Sequence, residues 1–427
     1  MCSSDLGRLT NWAGNVTFSA TKIHKPASVA ELQRLVAASV CVRALGTGHS
    51  FSRIADTPGD LVSAAGLPKI MMVNAERATV TVSAGVRYGE LAPHLHAAGY
   101  ALRNLASLPH ISVAGACATG THGSGNSNGN LATAVCAMEV ITAGGDAVTM
   151  SREADGDRFR GAVVGLGALG IVTSLSLDIV PAFGIRQYVY ENLPHEQLYE
   201  HLTDIFASAY SVSLFTDWRG TRIRQVWLKQ RVGEHDPPRP GTRWYGALPA
   251  DGPRHPVPGL PAANSTQQLG VPGPWHERLP HFRLDFTPSA GDELQSEYLL
   301  PRRLAADALR AVASIGDRVA PVLRISEIRT VAADGLWLSP SYRQDSVAIH
   351  FTWINDVPAV MPVLATVEDR LAPFGARPHW GKLFTTSPAA VSRLYDRLPD
   401  FQRLLRSLDP DGKFRNKFID TYVPADR

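Results

Sequence analysis

The chain predicts a mixed α+β protein of two domains, and three observations carry that expectation. Its 427 residues exceed what one hydrophobic core usually supports. Helical periodicities and period-2 strand patterns are interspersed along it. Its match to the dinucleotide fingerprint, Gly165-Leu166-Gly167-Ala168-Leu169-Gly170, runs into a strand pattern where that fingerprint requires a helix, which excludes a nicotinamide-type Rossmann domain.

The elements follow in order. Pro26-Ala27-Ser28-Val29-Ala30-Glu31 opens a helix, because Ser28 and Glu31 have capping-box spacing and Leu32, Leu35 and Val36 supply an apolar stripe. Val40 to Leu45 reads as a short buried strand. Residues 69–73 and 78–84 read as a hairpin around Asn74-Ala75-Glu76-Arg77, with Val80, Val82 and Ala84 alternating against Thr79, Thr81 and Ser83. Tyr88 to Ala98 is a second helix, and a glycine-rich stretch runs from Gly115 to Gly129. Ile171 to Val180 is a strand with Ile171, Leu175, Leu177 and Ile179 on one face. Pro181 marks a boundary. Beyond it a helix is expected at 194–208, with strands near 211–218 and 224–230. Arg231 to Ala262 holds eight prolines and reads as a surface excursion of the second domain.

Composition narrows the function classes. Hydrophobic content of 44% and charged content of 19% describe an ordinary folded protein. A net charge of +3 with no Lys/Arg-rich run argues against nucleic acid as a partner. Cys2, Cys41, Cys117 and Cys136 lack metal-ligand spacing, so no metal is expected, and they read as small buried residues of a reducing compartment. No apolar run of about 18 residues is present to span a membrane. The first twenty residues lack a signal peptide's apolar core, so a cytoplasmic location is expected. Residues 1–7 carry no fold signal.

Gly46-Thr47-Gly48-His49-Ser50 follows the first strand. Two glycines let the backbone turn tightly and bring N–H groups up to a phosphate. A phosphate cradle has no need of the imidazole that comes next. A flavin that is to be attached covalently does: its 8α-methyl carbon becomes electrophilic in the quinone-methide tautomer, and a neutral imidazole nitrogen can attack it. The competing reading is a glycine-rich turn with a solvated histidine.

Three strand-like segments of the second half share a property. Alternation puts Gln295 and Glu297 on one face of 294–298, Glu327 and Arg329 together in 325–329, and His350 and Thr352 together in 347–353, opposite Val347, Ile349, Phe351 and Trp353. As neighbours in one sheet, these strands would present one apolar face and one face of amide, carboxylate, guanidinium, imidazole and hydroxyl groups. A half-solvated antiparallel sheet shows the same alternation. The polar face suits a polyhydroxylated substrate, since each hydroxyl needs a donor and an acceptor. Pro378-His379-Trp380-Gly381-Lys382 adds a lysine after a turn. It is either a surface charge or, in a flavin site, a cation that stabilises the reduced ring or a developing alkoxide.

These residues resemble a known family. From Asn11-Trp12-Ala13-Gly14-Asn15 to Leu408-Asp409-Pro410-Asp411-Gly412-Lys413-Phe414 the chain is similar to the FAD-dependent alditol oxidases (xylitol or sorbitol oxidases). They are a branch of the vanillyl-alcohol-oxidase fold group close to the aldonolactone oxidoreductases. The motifs are Arg43 to Phe51, Ala106 to Ser112, Ala118 to Gly123, Gly270 to Trp275, Glu327-Ile328-Arg329 and His379 to Lys382, several of them shared with the lactone enzymes. The resemblance implies an FAD-binding domain at 8–181, a substrate-binding domain at 182–385 whose sheet covers the isoalloxazine, and a C-terminal segment, 386–427, returning to the first. It implies that His49 carries FAD covalently. Ala44, Leu45, Gly46, Thr47, Gly48, Ser50, Ser107, Ser112, Gly115, Thr119, Gly120, Thr121, His122 and Val172 would wrap the dinucleotide. Ser107, Gln295, Glu327, Arg329, His350, Thr352 and Lys382 would line the substrate site, with Lys382 also at the flavin.

The implied reaction takes the terminal CH₂OH of a polyol to an aldose, with O₂ reduced to hydrogen peroxide. His350 or Lys382 would accept the hydroxyl proton, Arg329 would hold the oxygen, and Glu327 would orient Arg329 or the next hydroxyl. Ala106 stands about where related flavoenzymes control oxygen access. The implied partners are a small polyol and O₂, for a monomer away from membranes. Three other readings remain open: an aldonolactone oxidase or dehydrogenase on the same fold, a flavin- or carbohydrate-binding protein without turnover, and a purely structural protein whose glycine loops are ordinary turns.

Overall fold

A computed structural model describes residues 9–20, 22–234, 241–285 and 292–425. Cys2, residue 8 of the expected first domain, and Pro237, Pro238 and Pro240 of the expected excursion lie outside the described residues.

Among the described residues two large antiparallel sheets organise the chain. The first has five strands in the order Met71–Asn74, Thr79–Ser83, Ile171–Asp178, Val135–Ile141 and Ala147–Ser151. The expected hairpin pairs Met71 with Val82 and Asn74 with Thr79. Val80, Val82, Leu175 and Leu177 point inward and are fully buried. The C-terminal helices Pro388–Leu394 and Leu398–Leu408 join this core through Val391, Tyr395, Leu398 and Phe401. So do Leu336, Trp337, Leu338 and Trp380 from the middle of the chain.

A smaller parallel sheet, Lys22–His24, Asp60–Ser63 and Val42–Leu45, lies against the helix Val29–Ala38. Ser28 caps that helix at Glu31 N (3.2 Å), and the Glu31 carboxylate accepts from Ala27 N at 2.8 Å. Leu32 and Val36 pack on Val42, Val62 and Phe414. Val40 stays out of the strand and is 91% exposed, because the chain only enters the sheet at Val42.

The second sheet runs Leu248–Pro249, Gly184–Pro194, Arg222–Arg231, Ser211–Thr216, Leu323–Val331, Ser346–Ile354, Glu293–Pro301 and Arg377–Pro378, with Gly273–Pro274 added beside Gly184–Pro194. The helices Ala305–Ala313 and Val357–Leu371 cover one face, burying Leu309, Val312, Val360 and Val367 against Ile328, Ile349, Phe351 and Trp353. Each fully buried side chain of this size contributes about 1.5–3 kcal/mol. That leaves the other face of the same strands free to line a cavity.

Several elements differ from expectation. Gly184–Pro194 is an unforeseen eleven-residue strand, hidden because the fully buried Gln187 interrupts its apolar alternation. The helix expected at 194–208 is two helices, His195–Glu200 and Leu202–Ala207, broken at His201. The glycine-rich stretch begins inside a helix, Val113–Ala118. Of the described cysteines, Cys117 is buried, Cys41 and Cys136 are half-buried, and all are free thiols. No helix among the described residues is long and apolar enough to cross a membrane.

Candidate active site

A deep cavity lies between the glycine loops of the first half and the uncovered face of the second sheet. Strand Val42–Leu45 delivers the chain to its mouth, and Gly48 turns it with φ +71°. A second loop ends at Ser112, the cap of the helix Val113–Ala118 that carries Gly115. A Cβ added at Gly46 or at Gly115 would come within 2.8 Å of Ser112 Oγ, so the absence of side chains there leaves room for that hydroxyl beside the cavity. His49 lines the cavity, stacks on Trp12 (centroids 5.4 Å) and has Nδ1 2.9 Å from Thr47 Oγ1. Burial, reinforced by His110, lowers its pKa to about 4, so at neutral pH the imidazole keeps a free lone pair.

The polar face forms as alternation predicts. Glu293–Pro301, Ser346–Ile354 and Leu323–Val331 are neighbours, and His350 sits in register between Glu297 and Glu327. The face is buried, not half-solvated: Glu297 is 1% exposed and Glu327, Arg329, His350 and Thr352 are at most 7%. Charges at such depth must be paired. Arg329 Nη2 donates to Glu297 Oε1 (2.6 Å), and Nη1 donates to Ser107 Oγ (3.2 Å). Lys382 Nζ lies 2.7 Å from Glu297 Oε2 and 2.7 Å from His350 Nδ1. His350 Nε2 lies 3.0 Å from Thr352 Oγ1. Gln295 Nε2 donates to Glu293 at 2.8 Å.

The electrostatics follow from that pairing. Burial alone would raise the Glu297 pKa, but Lys382, His122 and Arg329 hold it well below the carboxylate range. For Glu327, burial is likewise overridden, by Arg329 and His281. Burial, and then the Lys382 charge, pushes His350 far down, so it is a neutral imidazole. Burial also lowers Lys382, against the pull of Glu297.

The two halves of the site are tied directly. Phe51 N donates to Gly381 O at 2.7 Å and Ser52 Oγ donates to Trp380 O at 2.8 Å. His379 N and Leu383 N donate to Glu297 O and Gln295 O, which hangs the lysine turn on the sheet. The histidine loop and Lys382 therefore keep a set spacing.

The cavity brings together Ala44 to Ser50, Ser107, Ser112, Gly115, Thr119, Thr121, His122, Val172, Gln295, Glu327, Arg329, His350, Thr352 and Lys382. Gly120 departs from the expected set. It stands outside the lining, facing Pro340 and Val164, because its φ of +67° turns the chain there. His122 sits at the polar face, with Nε2 3.3 Å from Glu297 Oε1. Other polar residues at or behind the cavity stand outside the expected set. Glu297 is the hub of the ion pairs, and its alternation with Gln295 was the available signal. His281 and the buried Lys229 lie behind Glu327, and His379 lines the wall. The proline-rich stretch is a roof as well as an excursion, since His255, Pro256, Val257 and Leu260 face the cavity.

The residues fit a flavin dinucleotide. Side-chain-free backbone lines one arm, a neutral histidine stands on it, and Lys382 and Arg329 supply positive charge at the far end.

Comparison with known proteins agrees. Residues 20–151 match a family described as FAD binding domain, and residues 292–422 match D-arabinono-1,4-lactone oxidase. An alditol oxidase of Streptomyces sp. is 54% identical over 415 residues, covering 96% of this chain and 98% of that protein. An L-gulono-1,4-lactone dehydrogenase of Mycobacterium tuberculosis is 28% identical, covering 96% of this chain and 97% of that one. The crystal structure of cholesterol oxidase from B. sterolicum matches with a TM-score of 0.78 at 15% identity, over 98% of this chain and 96% of that one, a likeness of fold.

Proposed function

The chain belongs to the alditol oxidase family of FAD-dependent oxidoreductases, on the vanillyl-alcohol-oxidase-type fold, and from that premise we propose that it oxidises the terminal primary hydroxyl of a sugar alcohol such as xylitol or sorbitol to the aldose, producing hydrogen peroxide from O₂, with FAD bound covalently through His49. One observation carries the substrate reading: Glu327, Arg329, His350 and Thr352 are buried on a single sheet face, with the half-buried Gln295 on the same face and Lys382 reaching it from the adjoining turn. Such a row matches successive hydroxyls and penalises a ligand that leaves its groups unpaired.

FAD, when bound, supplies the acceptor for the carbinol hydride and the two-electron link to O₂. The protein's own groups hold the alcohol and move its proton. Arg329, fixed by Glu297 and Ser107, is placed to hold the reacting oxygen. Lys382 and His350, 2.7 Å apart, receive the hydroxyl proton as a pair. Burial weakens the hold of both on a proton, which eases its onward transfer from the pair. Residues 8–181 with 386–427 would form the FAD-binding unit and 182–385 the substrate unit; the core shared by the C-terminal helices and the first sheet supports the return of 386–427, while Leu336, Trp337, Leu338 and Trp380 bind the second unit to the same core.

A lactone oxidoreductase is the second reading, favoured by the match of residues 292–422. The test is a substrate panel under air on acid-checked protein. Peroxide from xylitol and sorbitol, with flavin retained in an acid-precipitated pellet, is expected. Peroxide from gulono- or galactonolactone alone would transfer the site to lactones, and flavin in the supernatant would remove the covalent role of His49.

A further inference from the structure

We propose that Lys229 and His281 are positioning residues for Glu327 and so set how firmly the site holds a polyol hydroxyl; the proposal rests on reading Glu327 as part of the polyol site. Lys229 lies on the strand Arg222–Arg231, is 1% exposed, and forms no ion pair with a carboxylate among the described residues. Its Nζ meets three acceptors: the carbonyl oxygens of Leu279 and Pro280, and His281 Nδ1 at 3.1 Å. An ammonium has three N–H bonds and no acceptor, so the match is complete and Nδ1 must accept. Burial draws the Lys229 pKa well down and the Glu327 charge opposes that, while three acceptors favour the protonated form.

The consequence passes through the ring. With Nδ1 accepting, the imidazole proton sits on Nε2, which lies 2.6 Å from Glu327 Oε1. Glu327 is thereby held by one oxygen, leaving Oε2 turned toward Arg329 Nε at 3.5 Å. The His281 backbone N–H donates to Ser107 O at 3.1 Å, so the arm is anchored beside the serine that Arg329 contacts. The charged groups facing His281 are Lys229, Glu327 and Arg329; Ser213 Oγ lies 3.5 Å from Nε2, farther than Glu327, and the rings of Phe215, Trp227 and Phe282 pack around it. Without Lys229, the Nδ1 lone pair loses its donor and the ring can take a second proton. An imidazolium would then compete with Arg329 and the substrate for Glu327.

The experiment measures kcat and KM for xylitol between about pH 5.5 and 9, spanning the ordinary histidine range. It uses the flavin-loaded parent and the variants Lys229→Met, His281→Phe, His281→Gln and Glu327→Gln, each checked for flavin content and melting temperature. Lys229→Met and His281→Phe are expected to raise KM about tenfold or more while kcat stays within about threefold. His281→Gln, which keeps an N–H for Glu327, is expected to recover most of that loss. Lys229→Met should also acquire a KM that rises as pH falls through the new imidazole pKa, where the parent is flat. Folded Lys229→Met and His281→Phe with parental KM and no pH step, beside a raised KM in Glu327→Gln, would overturn the pair and leave the polyol site standing. Parental KM in Glu327→Gln, or no xylitol turnover in the parent, would remove the functional reading and the pair with it. Should Lys229→Met fail to fold, equal KM rises in His281→Phe and His281→Gln would overturn the proposal, and recovery in the glutamine variant would uphold it.

Discussion

At the histidine loop the site is made by leaving side chains out; on the sheet face it is made by burying side chains that normally stay in water. Gly46 and Gly115 keep space that a single methyl would fill, whereas Glu297, Glu327, Arg329, His350 and Lys382 fill theirs with charge and hydrogen bonds. The histidine loop is local, a run of five residues, joined in space by Gly115 from the helix Val113–Ala118. The face draws on three strands and a distant turn. A backbone cradle tolerates only small changes of volume, while a buried charge network depends on every partner. The two regions should therefore fail in different ways.

The largest expected effect is on the face. Lys382→Met should slow flavin reduction by xylitol about 10³-fold, within the range for a lost acid–base group, while the flavin stays in the acid pellet. Normal reduction in anaerobic stopped-flow would take Lys382 out of the chemistry. Arg329→Leu comes next. It leaves Glu297 and Glu327 buried with one cation fewer, and breaking a buried pair costs about 3–5 kcal/mol. Denaturant unfolding should show that loss together with a raised xylitol KM, and unchanged stability would mean that the carboxylates find other partners.

The loop should behave differently. His49→Ala is expected to release flavin into the acid supernatant, yet to keep the xylitol KM within about threefold, since separate sites act independently. A large KM change would show that the two regions are not separable.

Acid stability gives the smallest effect. Burial holds His281 at about 4, His379 at about 3 and His350 well below its ordinary value. Unfolded histidines titrate near ~6.5. Between those values the unfolded chain binds more protons, so stability falls as pH drops from about 6.5 toward 4. Glu297 and Glu327, held low, keep their contribution through that window and lose it only as pH falls below the unfolded carboxylate pKa of ~4.3. Melting temperature should drop measurably from pH 7 to pH 5. The drop should be smaller in His281→Gln. Equal melting temperatures at the two pH values would contradict the neutral histidines.

The same contrast decides what was legible in the sequence. The histidine loop reads directly because its residues are contiguous. The polar face reads because strand alternation maps onto side of sheet, which put Glu327 with Arg329 and His350 with Thr352 before any coordinates. Alternation also placed Glu297, but nothing in a lone glutamate marks it as the meeting point of Arg329, Lys382 and His122. Lys229 and His281 were out of reach: one lies two strands away and the other in a loop without periodicity. Proline content marked the stretch after Arg231 as irregular, yet composition carries no sign of which side of a loop meets a cavity.

The most direct measurement is the visible spectrum of the purified protein mixed with xylitol in the absence of oxygen. Bleaching of the flavin, saturating with xylitol and followed by recovery on admitting air, is the result predicted here. A flavin that stays oxidised with xylitol and sorbitol but bleaches with a gulono- or galactonolactone would contradict the polyol reading of the sheet face.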